Sequence, residues 1–250
     1  MIMAIRSAFT FGLYYGWASL RRGLVYSILI MLMPLSFLFI FGILSFSSAT
    51  SGFSSTLLPY ALVGGFISIV AGSSLETMSD GAFLRIELKF QDLIIATKMS
   101  MVDYMLGLGI SNAIFAIPGI AIYAILASFF NIFTPITMLI TILLLIVLTL
   151  CTTAIAFLLS TIPSHSRNVW GLTSILSLAF TIIPPIFYPY TILPKPLLYL
   201  LLISPATSAA VFMQGLTGLA PFNINMLYIL LAETAIYFLI AKRFAKWRQD

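Results

Sequence analysis

The chain has 250 residues, of which 61% are hydrophobic and 8% are charged, and its formal net charge is +5. A soluble domain carries about 25% charged residues, so this composition excludes an ordinary soluble protein and requires lipid as the solvent. The basic residues lie beside apolar runs and form no single patch, which excludes a nucleic-acid partner as the reason for the positive charge. The single cysteine, Cys151, lies in an apolar run. It excludes an intrachain disulfide and a cysteine metal site, and we expect it to be a small core residue.

Residues 1–22 predict an interfacial helix on the cytoplasmic surface. Apolar side chains recur there at helical spacing, namely Ile2, Ile5, Phe9, Leu13 and Leu20. Aromatic side chains suited to the lipid headgroup level follow, namely Tyr14, Tyr15 and Trp17. The first long apolar run starts near Leu24 and has no cleavage pattern, so we expect a retained span rather than a signal peptide.

Six apolar segments are each long enough to cross a membrane. A helical span needs about 20 apolar residues, because the hydrocarbon core is about 30 Å thick and each residue rises about 1.5 Å. The predicted spans are 24–45, 57–76, 104–128, 136–160, 169–187 and 224–241. The sequence therefore predicts an all-α membrane protein whose residues 1–250 form a single transmembrane domain.

The orientation follows from the lysines and arginines. Eleven of the twelve fall on one side of the six predicted spans. They are Arg6, Arg21, Arg22, Arg85, Lys89, Lys98, Arg167, Lys242, Arg243, Lys246 and Arg248. Only Lys195 falls on the other side, so the positive-inside rule predicts that both ends lie in the cytoplasm of a multi-pass protein of the cytoplasmic (inner) membrane.

Residues 77–102 predict a short cytoplasmic helix between the second and third spans. One apolar face of this helix carries Ile86, Phe90, Leu93 and Ile94. The opposite face carries Leu88 and Ile95. Such a helix either contacts a partner with one face and the membrane domain with the other, or lies on the lipid headgroups, and the sequence favours neither.

Residues 184–205 contain several prolines, which prevent a straight helix because proline lacks a backbone donor and clashes with the preceding turn. The apolar stretch 197–203 is too short to cross a bilayer. We expect either a re-entrant or interfacial element or an ordinary structured loop, on the outer side.

Glu233 lies inside the last predicted span, nine residues before Lys242. Burying a carboxylate at that depth is costly unless it is paired, hydrated or protonated. We expect a polar group that faces a translocation path or subunit interface, or one that bonds Thr, Ser or Tyr of a neighbouring span. His165 is the only histidine and lies in a loop with no second ligand nearby, so we expect neither a metal site nor an intramembrane serine protease.

Two local patterns carry a resemblance to a known family. The run from Glu87 to Gly107 resembles the "leucine-rich run, A-T-P-x-S, then Y-x-L-G" entry to span three of ABC-2-type permeases, with Lys98 in place of the usual proline. The run from Pro185 to Leu216 resembles the "F-P, L-P, N-P, R-G-L" region of the same family, with Ser204 for asparagine and Gln214 for arginine. The order of elements along nearly the whole chain is also similar.

The resemblance implies the permease subunit of an ATP-driven exporter. Two permease chains, identical or different, would pair above two copies of an ATP-binding subunit, which would hold the ATP and magnesium, because this chain has no phosphate-loop motif. The expected coupling residues are Arg85, Glu87, Lys89, Phe90, Asp92, Leu93 and Lys98. The expected outer gate contains Pro185, Pro189, Pro194 and Pro205.

Three further expectations concern function. The substrate is hydrophobic or amphiphilic, like a drug or a lipid, with a polysaccharide or lipid-linked glycan as the alternative. The chain itself is not an enzyme and has no catalytic residues. The alternative of another class is a secondary transporter that works without ATP.

Overall fold

The computed structural model describes residues 2–46, 51–97, 99–163 and 165–247, and these residues form helices and turns with no strand. Lys98 and Arg248, two of the predicted cytoplasmic cations, lie outside the described residues. The helices are α1 Ile2–Arg22, α2 Leu24–Phe46, α3 Ser51–Ile86, α4 Phe90–Ala96, α5 Met101–Phe129, α6 Pro135–Ser160, α7 Ser166–Thr181, α8 Lys195–Leu201, α9 Pro205–Leu216 and α10 Asn225–Phe244. A 3-10 turn, Tyr190–Ile192, precedes α8.

Within the described ranges, four helical segments are long and apolar enough to cross a membrane. They are Leu57–Ile86, Met101–Phe129, Pro135–Ser160 and Asn225–Phe244. Shorter apolar segments, Met31–Ile43 and Asn168–Thr181, lie in α2 and α7. The prediction of an all-helical protein with membrane-spanning character is therefore supported.

Two helices differ from the predicted spans. α7 ends at Thr181, before the predicted end at residue 187, because Pro184 and Pro185 cannot continue the hydrogen-bonded ladder. α3 continues to Ile86, ten residues past the predicted end at 76. Polar side chains in this extension have partners, as where Ser79 Oγ donates to Thr173 Oγ1 of α7 at 2.8 Å, so the helix tolerates them.

α3 is the central helix of the bundle and packs against α2, α5, α6, α7 and α9. Glycines allow its closest contacts. A Cβ atom on Gly65 would lie 1.8 Å from Cε1 of Tyr123 in α5, and one on Gly64 would lie 2.4 Å from the carbonyl oxygen of Ile186. The main core therefore forms around the first half of α3.

Contacts of α3 distinguish the two ends of the bundle. The hydroxyl of Tyr60 donates to the carbonyl of Leu219 at 2.5 Å, next to α9. At the other end, Arg85 contacts the end of α6 through the carbonyl of Ser160 at 3.0 Å. Tyr60 and Arg85 are 25 positions apart in the sequence, which corresponds to about 38 Å of helix. We call these the Tyr60 end and the Arg85 end.

α1 packs mainly against α5 through small residues. Gly12 and Gly16 of α1 face Gly107 and Ser111 of α5, and a Cβ atom on Gly12 would lie 2.7 Å from the carbonyl oxygen of Gly107. The break to α2 is slight, because the amide of Gly23 still donates to Ser19 at 2.7 Å. The helix predicted over residues 1–22 is present, and its position at a membrane surface stays a prediction.

A tight turn connects α5 and α6. Asn131 adopts a left-handed conformation with φ of 51°, which asparagine tolerates better than most residues. Thr134 caps α6 reciprocally with Thr137, and Pro135 takes the first helical position, where its missing N–H is not needed.

Candidate functional site

A short helix predicted within residues 77–102 is present as α4, and its cytoplasmic location stays a prediction. Its apolar faces divide differently from the prediction. Leu88 and Leu93, predicted on opposite faces, both point outward and are 57% and 64% exposed. Phe90 and Ile94 turn towards the bundle. The reason is that the helix begins only at Phe90, so Leu88 belongs to the preceding turn.

The outward surface of this region is mixed in chemistry. Three of the charged residues predicted for coupling, Glu87, Lys89 and Asp92, are exposed beside Leu88 and Leu93. We call these five residues the α4 face. The α4 face thus has an apolar centre and a charged rim, which is the general layout of a protein–protein interface.

Arg85, also predicted for coupling, points inward instead. It is 9% exposed, and its Nη2 donates to the carbonyls of Ser160 and Pro163 at 3.0 and 2.5 Å. Its positive charge meets the negative end of the α6 dipole, which stabilises both groups. The position of Arg85 thus fits a tie between α3 and α6 rather than a place on the α4 face.

Behind α4 lies an aromatic cluster, made of Phe11, Tyr15, Phe90, Tyr104, Phe157 and Trp247. Phe11 of α1 stacks on Tyr15 and Phe90 at centroid distances of 5.5 and 6.5 Å. Tyr104, at the start of α5, lies 5.3 Å from Phe11 and 5.4 Å from Trp247. The cluster joins five segments at the Arg85 end.

Burial, with a smaller contribution from the charge of Asp80, raises the pKa of Tyr15 to about 12. The Tyr15 phenol is therefore neutral over the physiological pH range, which suits a place among stacked rings.

The start of α5, next to this cluster, is fixed by a capping box. Ser100 and Asp103 cap the helix reciprocally, with Ser100 N donating to Asp103 Oδ2 at 3.1 Å.

The proline-rich segment forms a helical hairpin at the other side of α10. α8 and α9 are joined at residues 202–204, and the hydroxyl of Tyr237 in α10 donates to the carbonyl of Ile203 at 2.6 Å. Tyr237 lies twelve residues into α10, about 18 Å along it. The tip of the hairpin therefore reaches far from the Tyr60 end, where α9 ends.

The four prolines predicted for the outer gate take different places in this hairpin region. Pro185 is buried after α7, and Pro205 is buried at the first position of α9. Pro189 precedes the 3-10 turn, and Pro194 is exposed just before α8. Each thus sits at a helix start or a break, where a missing N–H costs least.

Gln214 of α9 forms hydrogen bonds with backbone groups of the non-helical segment between α7 and α8. Its Nε2 donates to the carbonyls of Pro185 and Tyr188 at 2.7 and 3.0 Å, and its Oε1 accepts from the amide of Tyr190 at 3.1 Å. This fully buried side chain therefore provides the backbone hydrogen-bond partners that a regular helix would otherwise supply.

Glu233 is 8% exposed and accepts a hydrogen bond from a serine of a neighbouring helix, which is one of the two interpretations of this residue from the sequence. Ser208 Oγ of α9 lies 3.0 and 2.9 Å from its two carboxylate oxygens and donates to them. A second polar contact crosses the bundle elsewhere: Thr77 of α3 donates to Asn112 of α5 at 2.6 Å, and Asn112 donates to Thr153 of α6 at 3.2 Å.

The two remaining sequence candidates are His165 and Cys151. His165 is exposed just before α7, and no cluster of metal-ligating residues exists in the described part of the chain. Cys151 is buried, as expected. The sequence interpretation missed Gln91 and Trp247 and gave Gln214 no role, because an amide or a tryptophan near a membrane edge has no motif of its own.

Comparison with known proteins gives no identification. No protein-family model matches the chain, and no curated protein matches it significantly in sequence.

Proposed function

We propose that this chain is the permease subunit of an ATP-driven exporter of the ABC-2 type, which moves a hydrophobic or amphiphilic substrate out of the cytoplasm or inner leaflet. Support comes from the order of the elements: a helix before the first apolar helix, an exposed short helix between α3 and α5, and a broken hairpin before α10. The observation that carries the proposal is the α4 face, which offers two exposed leucines and three charged residues at the Arg85 end.

The proposed topology has six spans with both ends in the cytoplasm of the cytoplasmic membrane. α2 and α7 join the four long apolar segments as the remaining spans. The distribution of charge supports this orientation. Lys89 and Lys246 lie at the Arg85 end. Lys195, in contrast, is the first residue of α8 and follows the turn at Tyr190 that contacts Gln214 of α9. In this orientation α8 and α9 are a re-entrant hairpin entering from outside.

The proposed mechanism joins this chain to other subunits. A second permease chain, identical or different, forms the translocation path with it, and two ATP-binding subunits hold the ATP and magnesium and dock on the α4 face. The hairpin closes the path on the outside. Short loops favour a drug-like or lipid-like substrate over a polysaccharide or lipid-linked glycan.

A second candidate is a secondary transporter that works without ATP. It is favoured by one observation, the carboxylate of Glu233 buried in a membrane-spanning helix and held by Ser208. Intramembrane carboxylates are typical of ion- or proton-coupled transport.

The test is purification of the tagged chain in mild detergent, with identification of co-purifying subunits by mass spectrometry. We expect a stoichiometric subunit with a phosphate-loop ATPase sequence. Leu93→Asp should abolish its recovery while the permease still inserts, and Ile162→Asp, an equally exposed apolar position at the same end but outside α4, should not. A preparation with no such subunit, repeated in lipid nanodiscs, would reject the ABC proposal and favour the secondary transporter.

A further inference from the structure

We propose that residues 245–247, which we call the strap, hold α4 in position, with Gln91 and Trp247 as the positioning residues. The geometry does not depend on the identity of any partner. Only the consequence for coupling rests on the proposed function.

α4 cannot hold its own shape. It has seven residues, whereas isolated helices need about 12–15 to be even marginally stable in water. Its preceding residue, Lys89, has φ of 49° and provides no side-chain cap. The orientation of α4 must therefore come from contacts with other segments.

Gln91 makes the polar contact between α4 and the strap. Its side chain is 5% exposed, and Nε2 donates to the backbone carbonyls of Lys246 and Trp247 at 3.2 and 2.8 Å. Both amide hydrogens are thus directed at the strap. The contact uses the backbone of Lys246, while its side chain is exposed.

Trp247 makes the apolar contact. Its ring lies 5.4 Å from Tyr104 and 6.4 Å from Phe157, while Phe90 of α4 reaches the same aromatic cluster through Phe11. The strap starts where α10 ends, with the amide of Ala245 donating to Ala241 at 3.0 Å. α4 is therefore fastened to the end of α10.

The consequence concerns the α4 face. Because Gln91 points inward to the strap, Leu93 two positions on is directed outward. Releasing the strap would leave Leu88 and Leu93 on a mobile segment, and a partner would no longer meet them in one arrangement.

The experiment uses tryptophan fluorescence of the full chain in lipid nanodiscs. The chain has three tryptophans, and Trp17 and Trp170 are both largely exposed, so Trp17→Phe with Trp170→Phe leaves Trp247 as the only tryptophan, whose emission is excited selectively over that of the tyrosines. In this background Gln91→Glu keeps the shape of the side chain but loses both donors. We expect red-shifted Trp247 emission, stronger quenching by iodide, and roughly tenfold faster amide exchange over residues 90–96.

Lys246→Ala is the matched control, since it removes only an exposed side chain and should change none of these readouts. In the wild-type background, Trp247→Ala should speed exchange over residues 90–96, and Trp247→Phe should restore it by replacing the aromatic contact. This pair keeps the test decisive if Gln91→Glu does not fold. Wild-type exchange rates over α4 in both Gln91→Glu and Trp247→Ala would overturn the proposal. None of these measurements needs an ATPase, so failure to find one would reject the proposed function and leave the strap standing.

Discussion

Ser208 on α9 donates its hydroxyl hydrogen to the carboxylate of Glu233 on α10, with Oγ 3.0 and 2.9 Å from the two oxygens. This contact connects α9 of the hairpin to α10, one of the helices long and apolar enough to cross a membrane. Substituting either partner therefore measures what the buried carboxylate and its hydrogen bond contribute to the free energy of unfolding.

Ser208→Ala should lower the free energy of unfolding by about 1–3 kcal/mol, because a buried acceptor loses its donor. Glu233→Gln should be nearly neutral or stabilising, since an amide oxygen accepts the same hydroxyl without a charge in lipid. Thermal unfolding in detergent measures both. Ser174→Ala is the control, because that hydroxyl is exposed and bonds Trp170 of its own helix. Equal melting temperatures for the two alanine variants would show that the Ser208 contact contributes nothing.

Gln214→Leu should destabilise the hairpin by about 3 kcal/mol, because two carbonyls and one amide lose their partner in a buried setting. Limited proteolysis should reveal new cleavage over residues 182–194. Thr217→Ala, at the end of α9, removes only hydroxyl bonds to the backbone carbonyls of Met213 and Gln214 and should leave this region resistant. Cleavage that is the same in both variants would contradict the role assigned to Gln214.

Arg85→Met should lower the free energy of unfolding by about 1.5–3 kcal/mol, the usual value of hydrogen bonds from a charged donor. Arg85→Lys should recover only part of this loss. The ammonium keeps the positive charge, but it lacks the fixed donor geometry of the guanidinium. Arg21→Met removes an exposed guanidinium and should have little effect on unfolding. If Arg85→Met unfolds like the wild type, the tie to the end of α6 is not stabilising.

Gly65→Ala should destabilise the protein by about 1–3 kcal/mol through overpacking, because the new methyl group would overlap the ring of Tyr123. Gly171→Ala is the matched change in another helix with nothing within 4 Å, and it should stabilise by about 0.5–1 kcal/mol. Thermal unfolding of the two variants should therefore shift in opposite directions. Stabilisation by both variants would mean that helix propensity, not the contact with Tyr123, decides the effect at residue 65.

The sequence predicted most helices well where apolar runs end in turn residues. α6 was expected at 136–160 and spans Pro135–Ser160, and α5 was expected at 104–128 and spans Met101–Phe129. Prolines also marked the break after α7 correctly, although α7 ends earlier than 187. These boundaries depend on local chemistry, which a single sequence carries.

The site was predicted less completely, because its geometry depends on contacts between distant segments. Arg85 looked like a cytoplasmic cation, but a partner 75 residues away draws it inward. Gln91 and Lys246 are 155 residues apart, and no local sequence pattern indicates that they are in contact. The grouping of Leu88 with Leu93 required the true start of α4. Such features follow from packing, which periodicity alone does not specify.

α3 runs as one helix over 36 residues, about 54 Å, and contains no proline between Tyr60 and Arg85. An unbroken ladder of backbone hydrogen bonds, rather than a loop, therefore links the two ends of the bundle through α3. The contact of Arg85 with the end of α6 and the contact of Tyr60 with Leu219 are therefore made by one continuous helix.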